Sequence, residues 1–413
     1  EVLPGPGWSN WSQAYVAPGE IVRSPSPRRY TMIQATLLSR DADAAATLRS
    51  IYLNLANPVS DNVVGEIEPK RRVPAGEVVD FDVYVRPRLS RQNSGFDRVR
   101  VIAPSGAVMR LEEVRRGAET NLRDGTADVF QGGGAVGLDE EFRNVAGRSL
   151  NVAGNGTDTL MIELPTRLRW SLDEFALPRL SGSPSSVVVE SILVAAGDSL
   201  SSGQASLEVR DGSRALSVVS PISGWVGVIH VAEGDTIARG DLILETEPDQ
   251  VQVSFRSIVF QSGSTFEVQI GNSSSPDQWQ RVDPGEAVGD DLGEGRGLTV
   301  LTPLGDGNIK VYGVSPEVFT PNGDGINEVV VFEFAVLNIN VEREVTLEVF
   351  DLAGRRVRQL TEIRTRSNGS YAIPWDGMDE SGALVPPGTY LLKASVDSDS
   401  NSSGAVRVVG LVY

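Results

Sequence analysis

Small acidic and amide side chains crowd together most tightly in "VFTPNGDGINEVVVFEF", Val318 to Phe334. Asn322, Asp324, Asn327 and Glu328 offer hard oxygen donors, and Gly323 and Gly325 allow a tight backbone around them. Such oxygens suit Ca2+ better than Mg2+ or Zn2+, because calcium accepts several oxygens in a flexible geometry. An EF-hand loop would need more carboxylates and a bidentate Glu at its end. Asx-turns, in which Asn and Asp side chains accept nearby backbone N–H groups, explain the same residues without metal. Two readings therefore stand: a calcium loop, or the turn that starts a domain.

Other chemistry has little to draw on. The chain has no cysteine, which excludes disulfides, thiolate zinc sites and cysteine nucleophiles together. His230 is the single histidine, in a strand-like stretch where a packed residue is expected rather than a base, so Ser-His-Asp and His-based zinc arrangements are disfavoured. Paired carboxylates for glycoside hydrolysis reduce to Asp139–Glu141 and Glu233–Asp235, in loops and turns where solvated acids are the rule. The glycine-rich run from Phe130 to Phe142 lacks the Gly-Lys-Ser/Thr of a phosphate loop and the strand-then-helix setting. The expectation is a protein that is not an enzyme and carries no cofactor beyond that calcium.

The elements that would position these residues read as strands. Most apolar runs are short, rich in Val and Ile, and separated by Gly, Asp, Asn, Ser and Pro, which predicts an all-β, multi-domain chain of 413 residues. No apolar stretch approaches the ~20 residues that span a bilayer, so no transmembrane segment is expected. The chain begins at Glu1 without a charged and apolar leader, as expected once a signal peptide is removed or the chain is trimmed. Residues 1–182 hold 22 basic and 23 acidic side chains, net −1, and the rest hold 15 and 32, net −17. Nucleic acid is an unsuitable partner for such a surface, because phosphate binding needs surplus Lys and Arg.

Five regions follow. Residues 1–28 contain Pro4, Pro6, Pro18, Pro25 and Pro27, which favour an extended arm; Trp8, Trp11 and Tyr15 on it would dock on its own body or on a neighbour. Residues 29–182 predict a β-sandwich, with strands in "YTMIQATLL", "LRSIYLNLA", "VVDFDVYVRP" and "FDRVRVIAP". Residues 183–247 contain an internal repeat. "ILVAAGDSLSSGQASLEV" from Ile192 recurs as "IHVAEGDTIARGDLILET" from Ile229, an offset of 37, and neither copy can bury its apolar face alone. Residues 248–313 are further strands that either complete the first sandwich, making the repeat an insertion, or stand alone. Residues 314–413 alternate strands and turns as an immunoglobulin-like sandwich does.

Two of these regions resemble known families. "GDSLSSGQ", "SPISGWV" and "EGDTIARGDLI" make the repeat similar to the biotinyl/lipoyl family, a barrel-sandwich hybrid also found in membrane-fusion adaptors. Counting back from Pro221, the resemblance places the family's modified lysine at Ser213, and residues 183–247 contain no lysine. A swinging-arm cofactor is thereby excluded, and the resemblance implies a spacer or docking platform. "FTPNGDGINE", "VFDLAGRRVRQL" and "WDGMDESGALVPPGTYLLKASV" make the C-terminal region resemble the immunoglobulin-like domain of the flagellar hook-capping protein. Its relatives include gliding-motility-associated domains that act as type IX secretion signals at the C-termini of secreted bacterial proteins. The final "VRVVGLVY" lacks the basic tail common in such signals. Trp375, Asp376, Asp379 and Gly382 read as a turn, with Trp375 in the core rather than on a sugar.

The resulting expectation is an exported bacterial structural protein, secreted or at the cell surface, that forms a homo-oligomer or polymer through its arm and sheet edges. An adhesin or carbohydrate-binding surface protein is the alternative, and a secreted cargo with a C-terminal sorting domain the third reading. Asn10, Asn155, Asn272, Asn368 and Asn401 begin N-x-S/T triplets in stretches expected to be loops, which makes glycosylation testable.

Overall fold

The structure, a computed structural model, describes residues 31–38, 47–53 and 57–413 apart from 91, 105, 133–140, 169–173, 181–184, 196–197, 201–202, 222–223, 248, 289–296, 304–306 and 398–401, together with residues 12, 14, 15 and 17. Trp8 and Trp11 of the expected arm, and most of the glycine-rich run 130–142, lie outside the described residues. Among the described residues the regular elements are strands, with one short helix, Glu119–Asp124.

Strands from residues 62–168 and from 250–300 build one sandwich. Its seven-stranded sheet runs, in spatial order, Asp283–Pro284, Asn62–Glu68, Val78–Arg88, Gln250–Ile258, Met109–Gly117, Asp128–Gly132 and Phe142–Arg143. The five-stranded sheet runs Ser275–Arg281, Glu267–Asn272, Phe96–Ile102, Thr159–Leu168 and Asn151–Ala153. The late strand Gln250–Ile258 thus lies between two early ones, and the repeat unit is inserted into a split sandwich. Phe81 and Phe255, directly paired across adjacent strands, meet Phe266 with ring centroids 5.5 to 5.9 Å apart at the centre of this core.

Two expected strands are corrected. Residues 31–38 and 47–53, within "YTMIQATLL" and "LRSIYLNLA", form no strand and are exposed. The central position in the seven-stranded sheet, which an early strand would have filled, is taken by Gln250–Ile258 with antiparallel partners on both sides.

The repeat unit is two four-stranded sheets. Arg214–Val219, Ala205–Asp211, Ser186–Ile192 and Thr236–Ala238 form one; Ser199–Leu200, Gly224–Ile229, Leu242–Glu247 and Glu174–Ala176 form the other. Each copy lends its short middle strand to the other copy's sheet, so neither closes its core alone. Glu174–Ala176 pairs with Leu242–Glu247, so the unit starts before residue 183.

The C-terminal sandwich stacks Ile309–Ser315, Val330–Val336 and Gly369–Trp375 on a five-stranded sheet ordered Val318–Phe319, Ser402–Leu411, Gly388–Asp397, Arg343–Asp351 and Arg356–Arg364. Val345, Leu347 and Val349 point into its core, as do Tyr390, Leu392 and Ala394, which is the alternation expected of half-buried strands. Ile309–Ser315 pairs with Val330–Val336, which moves the start of this unit ahead of residue 314.

Candidate functional site

In the loop before Val330 each candidate ligand already has a backbone partner. The Asp324 N–H donates to Asn322 Oδ1 at 3.0 Å, the Ile326 N–H to Asp324 Oδ1 at 2.8 Å, and the Gly325 N–H to Glu328 Oε1 at 2.9 Å. Asn327 closes the loop through its carbonyl, which accepts the Thr320 N–H at 2.8 Å, and it adopts a left-handed φ of 54°. These are the Asx-turn bonds that the residue types predict. The loop brings Asn322, Asp324, Asn327 and Glu328 together, and among the described residues no three His, Cys, Asp or Glu side chains cluster as a metal site.

Phe319 leads from this loop straight into the core. Its ring lies edge-on to Trp375 at 5.3 Å, and Trp375 lies edge-on to Tyr390 at 5.2 Å. Trp375 is 1% exposed, and its Nε1–H donates to the Met378 carbonyl. Asp376 and Asp379 accept the N–H groups of Met378, Ser381 and Ala383, with Gly377 and Gly382 at positive φ. The tryptophan is thus core and the aspartates are turn-formers, as the sequence implies.

The repeat unit keeps its symmetry at atomic level. The Ala195 N–H donates to Asp198 Oδ2 at 2.7 Å, and 37 residues on the Ala232 N–H donates to Asp235 Oδ2 at 2.8 Å. Likewise the Leu193 N–H reaches the Ser206 carbonyl and the His230 N–H the Ile243 carbonyl. His230 is exposed at the end of a strand rather than packed, because the same position in the first copy, Leu193, is also outward-facing. Ser213 occupies the two-residue turn between Ala205–Asp211 and Arg214–Val219, at the tip of the hairpin.

Residues 334–400 match the family model of the FlgD Ig-like domain. Residues 173–246 match the model described as biotin-requiring enzyme. No curated protein matches. Among solved structures, dimeric latent PorU of Porphyromonas gingivalis is similar at 10% identity and a TM-score of 0.23, over 86% of this chain and 34% of that one. PorZ of the same organism, a surface component of its type IX secretion system, gives 11% identity and a TM-score of 0.18 over 83% and 39%. A tetra-tandem repeat from the extending region of a large adhesion protein gives 12% and 0.20 over 85% and 74%. The chain thus spans less than half the length of the first two.

The FlgD Ig-like domain is fastened to the split sandwich. Phe260 is buried with Ala335 and Leu337, and Ala75 and Ile258 pack against them. Asn338, at φ 60°, donates its N–H to the Phe260 carbonyl at 2.9 Å and accepts the Ser262 N–H through Oδ1 at 3.1 Å. Lys310 pairs with Glu77 and reaches the Ala75 carbonyl at 3.4 Å. A Cβ on Gly76 would come within 3.2 Å of Lys310 and Leu337, and one on Gly106 within 3.1 Å of the Asn368 carbonyl. Sequence reasoning missed this contact, and its one signal is those two glycines at the tips of turns.

Three glycosylation candidates are corrected. Asn155, Asn272 and Asn368 are all buried, because their side chains bond inward, Asn155 Oδ1 to the Leu111 N–H and Asn272 Nδ2 to the Gly95 carbonyl among them. Asn10 and Asn401 lie outside the described residues. Of the aromatics, Tyr15 is exposed beside Ser12. Trp279 carries the Arg100 guanidinium over one face of its ring at 4.0 Å.

The other polar groups are structural. For Asp97, burial acts to raise the carboxyl, but hydrogen bonds from Ser273 and Arg167 outweigh it and hold it below the usual carboxylate range. Arg116 bonds both Asp249 and the Thr166 carbonyl, at 2.9 and 3.0 Å, and so ties together the chain on either side of the insertion.

Proposed function

We propose that this chain is a non-enzymatic structural protein, exported by a bacterium to its surface or surroundings, that self-assembles through its N-terminal region and its sheet edges. The observation that carries the reading is the buried contact that joins the split sandwich to the FlgD Ig-like domain. A buried apolar contact, two hydrogen bonds of Asn338, one through its N–H and one through its side-chain Oδ1, and an ion pair hold the junction. An element that transmits tension or sets a spacing needs such a fastened joint, whereas a detachable sorting tail does not.

The adhesin reading loses support at two tryptophans, since Trp375 is buried and Trp279 has Arg100 over one face of its ring. Electron microscopy of the purified chain, with and without residues 1–28, tests the proposal. Filaments, sheets or defined oligomers are expected, and monodisperse monomers in both samples would sink it.

A further inference from the structure

The segment Thr31–Leu38, "TMIQATLL", exposes four large apolar side chains: Met32, Ile33, Leu37 and Leu38, the last at 83%. Thr47–Leu53 does the same with Leu48, Ile51, Tyr52 and Leu53. Both have strand-forming composition, and neither has a strand partner among the described residues. An apolar extended segment gains most by adding to a sheet edge, where main-chain hydrogen bonds and alternate side chains are satisfied together.

The edges of the described sheets differ in what they can accept. Several are only two or three residues long. Ser275–Arg281 and Gly369–Trp375 contain Pro276 and Pro374, and proline blocks pairing. Ile309–Ser315 lies against the turn at Ala75–Glu77 through Lys310. The nine residues of Arg356–Arg364 are the longest edge without proline, paired on one side with Arg343–Asp351.

Half of that edge is capped and half is open. The Gln359 N–H points away from its sheet and donates to Glu380 Oε1 at 2.7 Å. Alternation along the strand then turns the N–H and C=O groups of Thr361 and Ile363 outward as well. Edge charges normally protect such a strand. Here each arginine is folded back onto its own domain: Arg356 bonds Glu348, Arg358 the Asp379 carbonyl, and Arg364 both Glu362 and the Ser370 carbonyl. Beside Ile363 the edge is also apolar, since that side chain is 60% exposed.

We propose that Thr31–Leu38 of one copy adds as a strand to the open edge at Thr361–Arg364 of a second copy. This deepens the self-assembly reading above and rests on it. Composition selects between the two donor segments: Thr31–Leu38 is uncharged and sets no charge beside the apolar Ile363, whereas Thr47–Leu53 carries Arg49 in its middle. The 19 residues from Leu38 to Asn57, which is held by Gln278, can span at most roughly 60 Å when fully extended, so the chain length permits Thr31–Leu38 to reach past its own sandwich.

The absence of cysteine makes disulfide trapping unambiguous. One copy would carry Ile33→Cys, Ala35→Cys or Leu37→Cys, and the other Thr361→Cys or Ile363→Cys, mixed under mild oxidation with Ser217→Cys, exposed on the repeat unit's edge strand Arg214–Val219, as the control acceptor. Mixed-copy dimers are expected at the FlgD Ig-like edge and not at the control. Ile33→Asp, which lies outside every folded strand, and Thr361→Pro, which removes an outward N–H, should each raise the assembly threshold by roughly tenfold with an unchanged melting curve. A wild-type chain that never assembles overturns the self-assembly reading and this inference together. Assembly that proceeds unchanged in both variants, with no mixed-copy dimers, overturns this inference alone.

Discussion

Glu66 is a carboxylate with 2% of its surface exposed, on a strand whose neighbour places Tyr84 directly opposite. Burial pushes its carboxyl above the usual range and outweighs the N–H bonds it accepts from Ala287 and Val288. The folded state therefore holds this proton more tightly than the unfolded chain does, and stability falls as pH rises through the folded value. Glu66→Gln keeps an acceptor for Ala287 while removing the charge. It should raise the urea midpoint at about pH 7, with the gain fading toward about pH 4, and an equal gain at both would show that charge burial is not the cause. The loop at Asn322–Glu328 makes the opposite case, with carboxylates in water spent on local turns. Because Asn322, Asp324 and Glu328 each already accept an N–H, a chelator should leave the thermal midpoint unchanged; a fall on chelation, restored by Ca2+, would give the loop back to the metal.

At the scale of elements, what could be read from the sequence was whatever is periodic and local. The 37-residue offset predicts two copies packed face to face, and the turns at Asp198 and Asp235 repeat bond for bond. The exchange of short strands between the two sheets is not legible, because it depends on which edge lies nearer in space. Nor is the non-strand state of 31–38 and 47–53, since alternation states a preference and the central place in the sheet went to Gln250–Ile258 from far along the chain. The candidate loop was legible to the residue, because Asx-turn chemistry is local. Insertion carries its own consequence. Arg116 bonds Thr166 and Asp249, so the two ends of the insertion are close, and the inserted unit encloses a core of its own. Replacing residues 171–247 by a short Gly-Ser linker should leave a cooperatively folding split sandwich, and the excised segment should fold by itself. Circular dichroism melts of the two pieces check both, and a linker variant that is unfolded would mean that the insertion is required for the strands around it.

For the whole molecule the decisive question is whether the FlgD Ig-like domain moves with the split sandwich or hangs from it. An inter-domain contact of modest size leaves relative motion as the default. Here the contact is small but well made: Leu337 is 9% exposed against Phe260, Asn338 exchanges two hydrogen bonds with the 260–262 turn, Gly76 leaves room for the Lys310 and Leu337 side chains, and Gly106 lets the Asn368–Gly369 backbone approach. Removing it should change coupling more than the stability of either core, because none of these residues belongs to the central clusters of the two sandwiches. Leu337→Asp would bury an unpaired carboxylate at the junction, at a cost of about 2–4 kcal/mol to the contact. The wild-type chain should melt with the two sandwiches in one calorimetric transition, while Leu337→Asp separates them into two. Asn338→Ala, which loses one hydrogen bond, should bring the transitions apart only partly. Two resolved transitions already present in the wild type would show that the junction does not transmit stability, and the structural role proposed for this chain would then have to rest on its sheet edges alone.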